Sequence, residues 1–137
     1  MDGSGRSLHG ECLCGAVEYV VRDAFEYAFF CHCSQCRRTT GSAFKPTAGI
    51  ARREIEVFWG DVATMIYGED EAHDVHCGIC GSLLFSVVRE GTYVHVAMGT
   101  LKDEPAIKPA MHIFVGSKAA WFAITDDLPQ HATFPDD

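Results

Sequence analysis

The cysteines of this chain are the feature that most restricts how it can fold. Seven of them occur among 137 residues, in three groups that lie far apart in sequence. The groups are Cys12 and Cys14, then Cys31, Cys33 and Cys36, and finally Cys77 and Cys80. The number is odd and the first residues lack the apolar centre of an export signal, which argues against a disulfide framework. Gaps of one or two residues let neighbouring thiolates reach one metal ion, so the spacing indicates metal binding.

The first and last groups predict a closed zinc site. Four thiolates fill the zinc tetrahedron and leave no position for another ligand, which is typical of a structural site. Such a site would tie the amino-terminal strand to the middle of the chain, and its binding free energy would contribute directly to folding. The alternative is that these residues are ordinary buried thiols. The expected structural zinc ligands are Cys12, Cys14, Cys77 and Cys80.

The central group, Cys31, Cys33 and Cys36, supplies only three ligands and leaves a tetrahedral zinc one ligand short. Water, a side chain or a substrate thiol would fill the fourth position, and zinc stabilises a thiolate at neutral pH. On an extended strand His32 should point away from the cysteines beside it. Three other histidines stay open as a fourth ligand that would make this a second structural site: His76, His95 and His112.

Short apolar and aromatic runs between glycine-bearing or charged turns predict an all-β fold. No segment keeps a helical period over a dozen residues, so helix should be limited to a few short turns. Residues 1–7 are small and polar and are expected to be disordered, and residues 8–137 are expected to form a single zinc-binding β domain. The clearest strand candidates are residues 16–21, 25–30, 55–59, 63–67, 83–88 and 92–96.

Charge and hydropathy exclude two classes of partner. The formal net charge is −8, which repels phosphate backbones and anionic membrane surfaces, so nucleic acid is not expected as a partner. No apolar run approaches the roughly 18 residues that span a bilayer, so no membrane association is expected and the chain is assigned to the cytoplasm. Arg37 and Arg38 form the densest basic cluster and could draw in an anionic substrate, although two solvated arginines would look the same.

Six segments carry a resemblance to a known family. They are Gly10-x-Cys12-x-Cys14-Gly15, Cys31-His32-Cys33-x-x-Cys36-Arg37-Arg38-x-x-Gly41, Cys77-x-x-Cys80-Gly81-Ser82, His112-Ile113-Phe114-Val115, Trp121 and Asp126-Asp127-Leu128-Pro129. Over about residues 8–135 the chain resembles the glutathione-dependent formaldehyde-activating enzyme family, which also includes centromere protein V. The resemblance implies an Mss-four-like fold of packed antiparallel sheets with zinc knuckles. It implies two zinc ions per chain, one structural and one catalytic or labile, the second not necessarily at full occupancy.

The resemblance also implies a reaction. The family's namesake activity joins glutathione and formaldehyde to S-hydroxymethylglutathione and is classed as a carbon–sulfur lyase. On this hypothesis the partner is a small thiol such as glutathione, catalysis runs through the zinc of the central triplet, and the candidate substrate contacts are Arg37, Arg38 and His112. The alternatives are a non-catalytic zinc-stabilised scaffold and a thiol-binding or redox-sensing module. A homodimer is left open.

Overall fold

Short strands carry most of the regular structure, as the β-branched and aromatic runs predict. The computed structural model describes residues 5–135. Within that range the strands are β1 (Ser7–Glu11), β2 (Glu18–Arg22), β3 (Tyr27–Cys31), β4 (Lys45–Ala51), β5 (Ile55–Trp59), β6 (Thr64–Glu69), β7 (Ala72–Cys77), β8 (Leu83–Val88), β9 (Tyr93–Ala97) and β10 (His112–Ile113). The α-helix α1 covers Ser34–Thr40, and 3₁₀ turns cover Arg52–Glu54, Asp61–Ala63, Met98–Thr100 and Val115–Ser117.

The strands form two sheets. The small sheet has the order β1-β2-β5, and the large sheet has the order β10-β3-β4-β9-β8-β7-β6. Neighbouring strands are antiparallel, except that β10 runs parallel to the end of β3. The all-β prediction is confirmed. No helix among residues 5–135 is long and apolar enough to cross a membrane.

The core lies between the small sheet and one face of the large sheet. Alternate residues of a strand point to opposite faces, so apolar residues at every second position line this interface. Tyr19 of β2 and Phe85 of β8 meet across it, with ring centroids 6.2 Å apart. Tyr19 is fully buried, and its hydroxyl lies 2.7 Å from the Thr100 hydroxyl. Other buried members of the core are Leu8, Val17, Val21, Ile50, Val75, Val87, Val94 and Val96.

The opposite face of the large sheet, called here the outer face, carries polar residues across six strands. Directly paired residues share a face, so the register of the strands identifies its members. They include Cys31 and Tyr27 of β3, Lys45 of β4, His95 of β9, Ser86 of β8, Asp74 of β7 and Tyr67 of β6. Three residues of α1 line a cavity together with two members of this face. The outer face is therefore the side of the sheet on which the helix lies.

Residues 5–7 of the predicted disordered segment are described in the structure, and the first strand starts one residue before the proposed domain boundary. Ser7 was assigned to the disordered segment 1–7, but it is the first residue of β1 and pairs with Arg22. Ser7 is ordered by its pairing with β2. The small polar residues before it do not resemble a strand, so the sequence did not predict this. Residues 1–4, 136 and 137 lie outside the described residues. The predicted disorder of residues 1–4 and the C-terminal limit of the domain, 8–137, therefore stay predictions.

Replacing Gly10 with alanine should destabilise the fold. A Cβ at Gly10 would lie 2.0 Å from Cζ of the Tyr19 ring, and overpacking of a core typically costs about 1–3 kcal/mol. At Gly99 a Cβ would meet nothing within 4 Å, so Gly99→Ala is the matched control. Urea unfolding of the zinc-loaded proteins should give a lower free energy of unfolding for Gly10→Ala and little change for Gly99→Ala. Equal stability of the two variants would contradict the close approach of Gly10 to Tyr19.

Candidate metal centres

Four cysteines meet where strands of the two different sheets end. Cys12 and Cys14 follow β1 of the small sheet, whereas Cys77 ends β7 of the large sheet and Cys80 lies in the turn after it. The Sγ atoms of Cys12 and Cys14 are 3.8 Å apart, as are those of Cys14 and Cys77. A tetrahedral zinc with Zn–S bonds of about 2.3 Å requires sulfur separations of about 3.8 Å. All four sulfurs lie within 4.8 Å of one another, so they could hold one zinc ion.

Hydrogen-bond donors surround the sulfurs of this four-cysteine cluster. The backbone N–H groups of Ile79 and Cys80 donate to Cys77 Sγ over 3.3 and 3.4 Å. The Ser82 hydroxyl lies 3.2 Å from Cys80 Sγ, and hydrogen bonding to Ser82 is the main cause that lowers the pKa of Cys80 to about 5. These donors stabilise the thiolate form, which is the form that binds a metal ion.

The central triplet lies where β3 leads into α1. Cys31 is the last residue of β3, and the sulfur of Cys33 caps the helix by accepting the Cys36 N–H over 3.3 Å. The three sulfurs lie within 4.8 Å of one another. Among residues 5–135, no further cysteine and no histidine, aspartate or glutamate joins the group. The triplet could therefore hold a metal ion with three ligands from the chain, which leaves one tetrahedral position for an external ligand.

The histidines that stayed open as a fourth ligand are engaged elsewhere. His76 Nδ1 lies 3.1 Å from the carbonyl oxygen of Gly81, beside the four-cysteine cluster. His95 Nε2 lies 2.8 Å from the Tyr27 hydroxyl. His112 contacts neither cluster, and its partners are described below. The structure thus favours the open form of the triplet over a second closed site.

A buried lysine supplies positive charge next to the triplet. Lys45 is 7% exposed and pairs directly with Cys31 across β3 and β4. Within residues 5–135 it forms no ion pair with a carboxylate. A hydrogen bond with the Cys36 thiol is the main cause that lowers the pKa of Cys31 to about 6, and the Lys45 charge lowers it further. The same contact raises the pKa of Cys36, so Cys31 is the first of the two thiols to ionise.

A cavity of about 360 Å³ lies between α1 and the outer face. The residues that line it are Gln35, Arg38, Thr39, Tyr67 and Asp74. The three helix residues are spaced three and four positions apart and so share one side of α1. Arg37 is not among them, and its charge instead acts on His32, whose pKa it helps to lower. The sequence analysis treated Arg37 and Arg38 as one basic cluster, but the two side chains have different surroundings. Of the two, only Arg38 lines the cavity.

His95 lies on the outer face, in register with Ser86 of β8, and is neutral at physiological pH. In addition to its contact with Tyr27, its ring packs edge-on against Phe29 with centroids 5.6 Å apart. Burial is the main cause that lowers the pKa of His95 to about 4, and the charge of Lys45 adds to it. A neutral imidazole avoids adding a second buried positive charge beside Lys45.

Two histidines and an aspartate form a hydrogen-bonded chain on the other side of β3. His32 Nε2 lies 2.8 Å from His112 Nδ1, and His112 Nε2 lies 3.0 Å from a carboxylate oxygen of Asp126. His32 is fully buried and His112 is 2% exposed. His32 thus points away from the sulfurs of its neighbours, as strand alternation predicts. The chain fixes the C-terminal segment against the loop that carries Cys33.

The position of His112 does not support the prediction that it contacts a substrate. Both of its ring nitrogens are hydrogen-bonded within the protein, and it pairs in register with Phe30, whose side chain alternates with that of Cys31. The Phe30 and His112 rings stack with centroids 4.9 Å apart. His112 therefore positions β3, the strand that ends at Cys31.

The sequence analysis did not identify Asp74 as a site residue, and it named Asp126 only as part of a family motif. A signal for Asp74 existed, since it alternates with Val75 in a short strand of residues 72–77. That pattern assigns Asp74 to the face opposite the core, but nothing local says which helix covers that face. The contact between Asp126 and His112 spans an irregular segment and left no periodic pattern to detect.

Acid should destabilise the protein through His95. An ordinary histidine has a pKa of 6.5, whereas His95 in the fold has a pKa of about 4, so below pH 6.5 the unfolded chain binds a proton that the folded protein does not. Stability should fall as the pH falls from about 6.5 towards 4, by up to about 1.4 kcal/mol per pH unit from this residue. His95→Gln should show a shallower decline than wild type in urea unfolding between pH 7 and pH 5. Parallel curves would contradict the burial of a neutral His95.

Comparisons with known proteins agree with this architecture. The crystal structure of a Rhodobacter sphaeroides protein is similar to it, with a TM-score of 0.59 and 27% sequence identity over 72% of this chain and 91% of that chain. Comparison with curated proteins gives no match. The family model described as glutathione-dependent formaldehyde-activating enzyme matches residues 7–117, a range that contains both cysteine clusters. The chain therefore belongs to the glutathione-dependent formaldehyde-activating enzyme family.

Proposed function

We propose that this protein joins a small thiol to a small aldehyde, glutathione and formaldehyde being the pair that the family description names. The product would be S-hydroxymethylglutathione, and the enzyme would be a carbon–sulfur lyase. One observation carries the proposal. Cys31, Cys33 and Cys36 converge as a group of three among residues 5–135, and the cavity lined by Arg38 lies along the same helix. An external thiol could complete such a metal site.

The chemistry requires an ionised thiol close to a carbonyl carbon. The sulfur forms a bond to that carbon, the π electron pair of the C=O bond moves to oxygen, and the proton lost by the thiol ends on this oxygen. Atoms and charge then balance without an oxidant or reductant. A zinc ion held by Cys31, Cys33 and Cys36 would supply a Lewis acid that favours the thiolate at neutral pH. The chain itself supplies the position of the reactants and the surrounding charge.

Lys45 supports the binding of an anion at the triplet. The protein carries a formal net charge of −8, which repels an anionic thiol such as glutathione at long range. A local positive charge must offset this repulsion, and Lys45 directly neighbours Cys31 in the register. Because Lys45 is 7% exposed, water screens its charge less than that of a surface lysine. Arg38 adds a second positive charge in the cavity.

A non-catalytic zinc-stabilised scaffold, or a thiol-binding or redox-sensing module, is the second candidate. The closeness of Cys33 and Cys36 favours the redox-sensing module, because neighbouring thiols can form a disulfide when a metal leaves. The two candidates differ in how firmly the metal ions are held. A scaffold would hold two equally tight zinc ions, whereas the enzyme would hold one tight ion and one that exchanges.

The Cys36→Ser variant tests the proposed function. It should keep the tight zinc of the four-cysteine cluster, lose the second zinc, and form S-hydroxymethylglutathione at least about 100-fold more slowly than wild type, because even the loss of a residue that supports a metal ligand costs about 10–100-fold. The measurements are zinc content per chain and the rate of adduct formation from glutathione and formaldehyde. Ser34→Ala, at an exposed neighbouring position, is the control and should match wild type.

A Cys36→Ser protein that loses its second zinc and keeps full activity would refute the mechanism. Two zinc ions that resist a chelator equally in the wild type would favour the scaffold. A second zinc that exchanges with chelator, together with a melting temperature that rises at saturating glutathione, supports the enzyme. An unchanged melting temperature would contradict glutathione as the thiol.

A further inference from the structure

The small sheet is too narrow to cover the whole face of the large sheet that lines the core. Three strands span roughly 14 Å at the usual strand spacing, whereas seven strands span roughly 34 Å. β5 is an edge strand of the small sheet, and β6 is an edge strand of the large sheet. A cavity of about 390 Å³, called here the inter-sheet cavity, is lined by residues of both strands. Its volume is within the range of about 300–1,000 Å³ that is usual for small-molecule sites.

Apolar side chains from both sheets line the inter-sheet cavity. Val75 of β7 pairs in register with Ile66 of β6 and with Phe85 of β8, so these three side chains form one row on the same face. Val75 and Phe85 are buried, whereas Ile66 is 51% exposed, so solvent reaches the edge of the row. The other apolar lining residues are Ile55 and Val57 of β5 and Val87 of β8. A ligand in this cavity would remove apolar surface from water.

The inter-sheet cavity adjoins a second cavity. The second cavity has a volume of about 530 Å³ and shares three lining residues with the first, namely Arg52, Ile66 and His73. Gly68, which pairs in register with His73, lines the second cavity without a side chain. The two cavities together are called here the recess. It is largely apolar between the sheets and polar where the β6–β7 and β8–β9 hairpins turn.

Carboxylates dominate the charge at the polar end of the recess. Glu69, Asp70 and Glu71 lie at the β6–β7 turn, and Glu90 lies at the β8–β9 turn. Arg52 supplies one positive charge among them, and within residues 5–135 none of these five residues forms an ion pair. The excess of three negative charges, together with the net charge of −8 for the whole chain, attracts cations.

We propose that the recess binds a small amphiphilic cation, with an alkyl or aryl body in the inter-sheet cavity and an ammonium group at the carboxylates of the two turns. The inference goes beyond the proposed function and does not rest on it, because none of the seven cysteines lines either cavity. Apolar area removed from water supplies the affinity, and charge complementarity selects the head group. An anionic head group would find only Arg52 to offset four carboxylates.

Ligands of equal length and different charge test the head group. Hexylamine, hexanol and hexanoate carry the same alkyl chain, so differences in their affinity for the zinc-loaded wild type report on the head group. In amide NMR titrations at low salt, hexylamine should bind roughly 5-fold more tightly than hexanol, as expected for an ion pair near the surface. Hexanoate should bind most weakly. Butylamine should bind roughly 15-fold more weakly than hexylamine, since each buried methylene contributes about 4-fold.

Changing an apolar lining residue tests the position of the alkyl chain. Ile66→Asn places a polar group in the recess and should weaken all four ligands by a similar factor. Val62 is 99% exposed and lines neither cavity, so Val62→Asn is the matched control and should leave every affinity unchanged.

Changing the carboxylates tests the position of the ammonium group. Replacing Glu71 and Glu90 together with glutamine should reduce the preference for hexylamine over hexanol by about 2-fold or more. Replacing Glu56 and Glu104 together with glutamine removes the same charge at exposed positions outside the recess and should keep the preference.

The NMR signals also show where the ligand binds. Hexylamine should shift the amide signals of Ile66, His73 and Val87, which line the inter-sheet cavity, and leave those of α1 unchanged. The inference is overturned if the shifts lie at α1 or the triplet, if hexanoate binds as tightly as hexylamine, if affinity does not rise with chain length, or if Ile66→Asn binds like wild type. None of these results bears on the proposed function, which is tested with glutathione and formaldehyde.

Discussion

The convergence of four thiols between the two sheets is the interaction on which the rest of the structure depends. Cys12 and Cys14 extend from the small sheet, and Cys77 and Cys80 extend from the large one. A metal ion shared by them would join the two layers of the core at one edge, so its binding free energy would act as folding free energy. All four thiols would coordinate that one ion. The triplet therefore has no further cysteine to recruit.

The two faces of the large sheet carry different groups of residues, because alternate residues of a strand point to opposite faces. In β3, Cys31 faces the outer surface together with Lys45, while Phe30 and His112 lie on the other side. Cys31 of the triplet and the charge of Lys45 thus share one face. The hydrogen-bonded chain that orders the loop lies on the other. A substitution in that chain would act on the position of the triplet without touching a bound ligand.

The cysteine clusters and the all-β class could be predicted from the sequence because each depends on short-range pattern. Two thiols separated by one or two residues can serve one metal whatever the rest of the chain does, and alternation marks a strand locally. The cavity could not be predicted in this way. Asp74 and Arg38 line one cavity only because the seven strands of the large sheet pair in one particular order. The sequence of neither segment reveals how distant strands pair. Arg37 and Arg38 have different surroundings for another reason, since successive residues of a helix point about 100° apart around its axis.

The parallel addition of β10 to β3 has a consequence for the order in which the two metal sites are assembled. A chain is synthesised from its amino terminus, and all four thiols of the four-cysteine cluster are present once Cys80 has emerged. The loop of the triplet gains its support from His112 and Asp126, more than thirty residues later in the sequence. During synthesis the four-cysteine cluster can therefore come together first. The triplet acquires its final geometry only after Asp126 has been made.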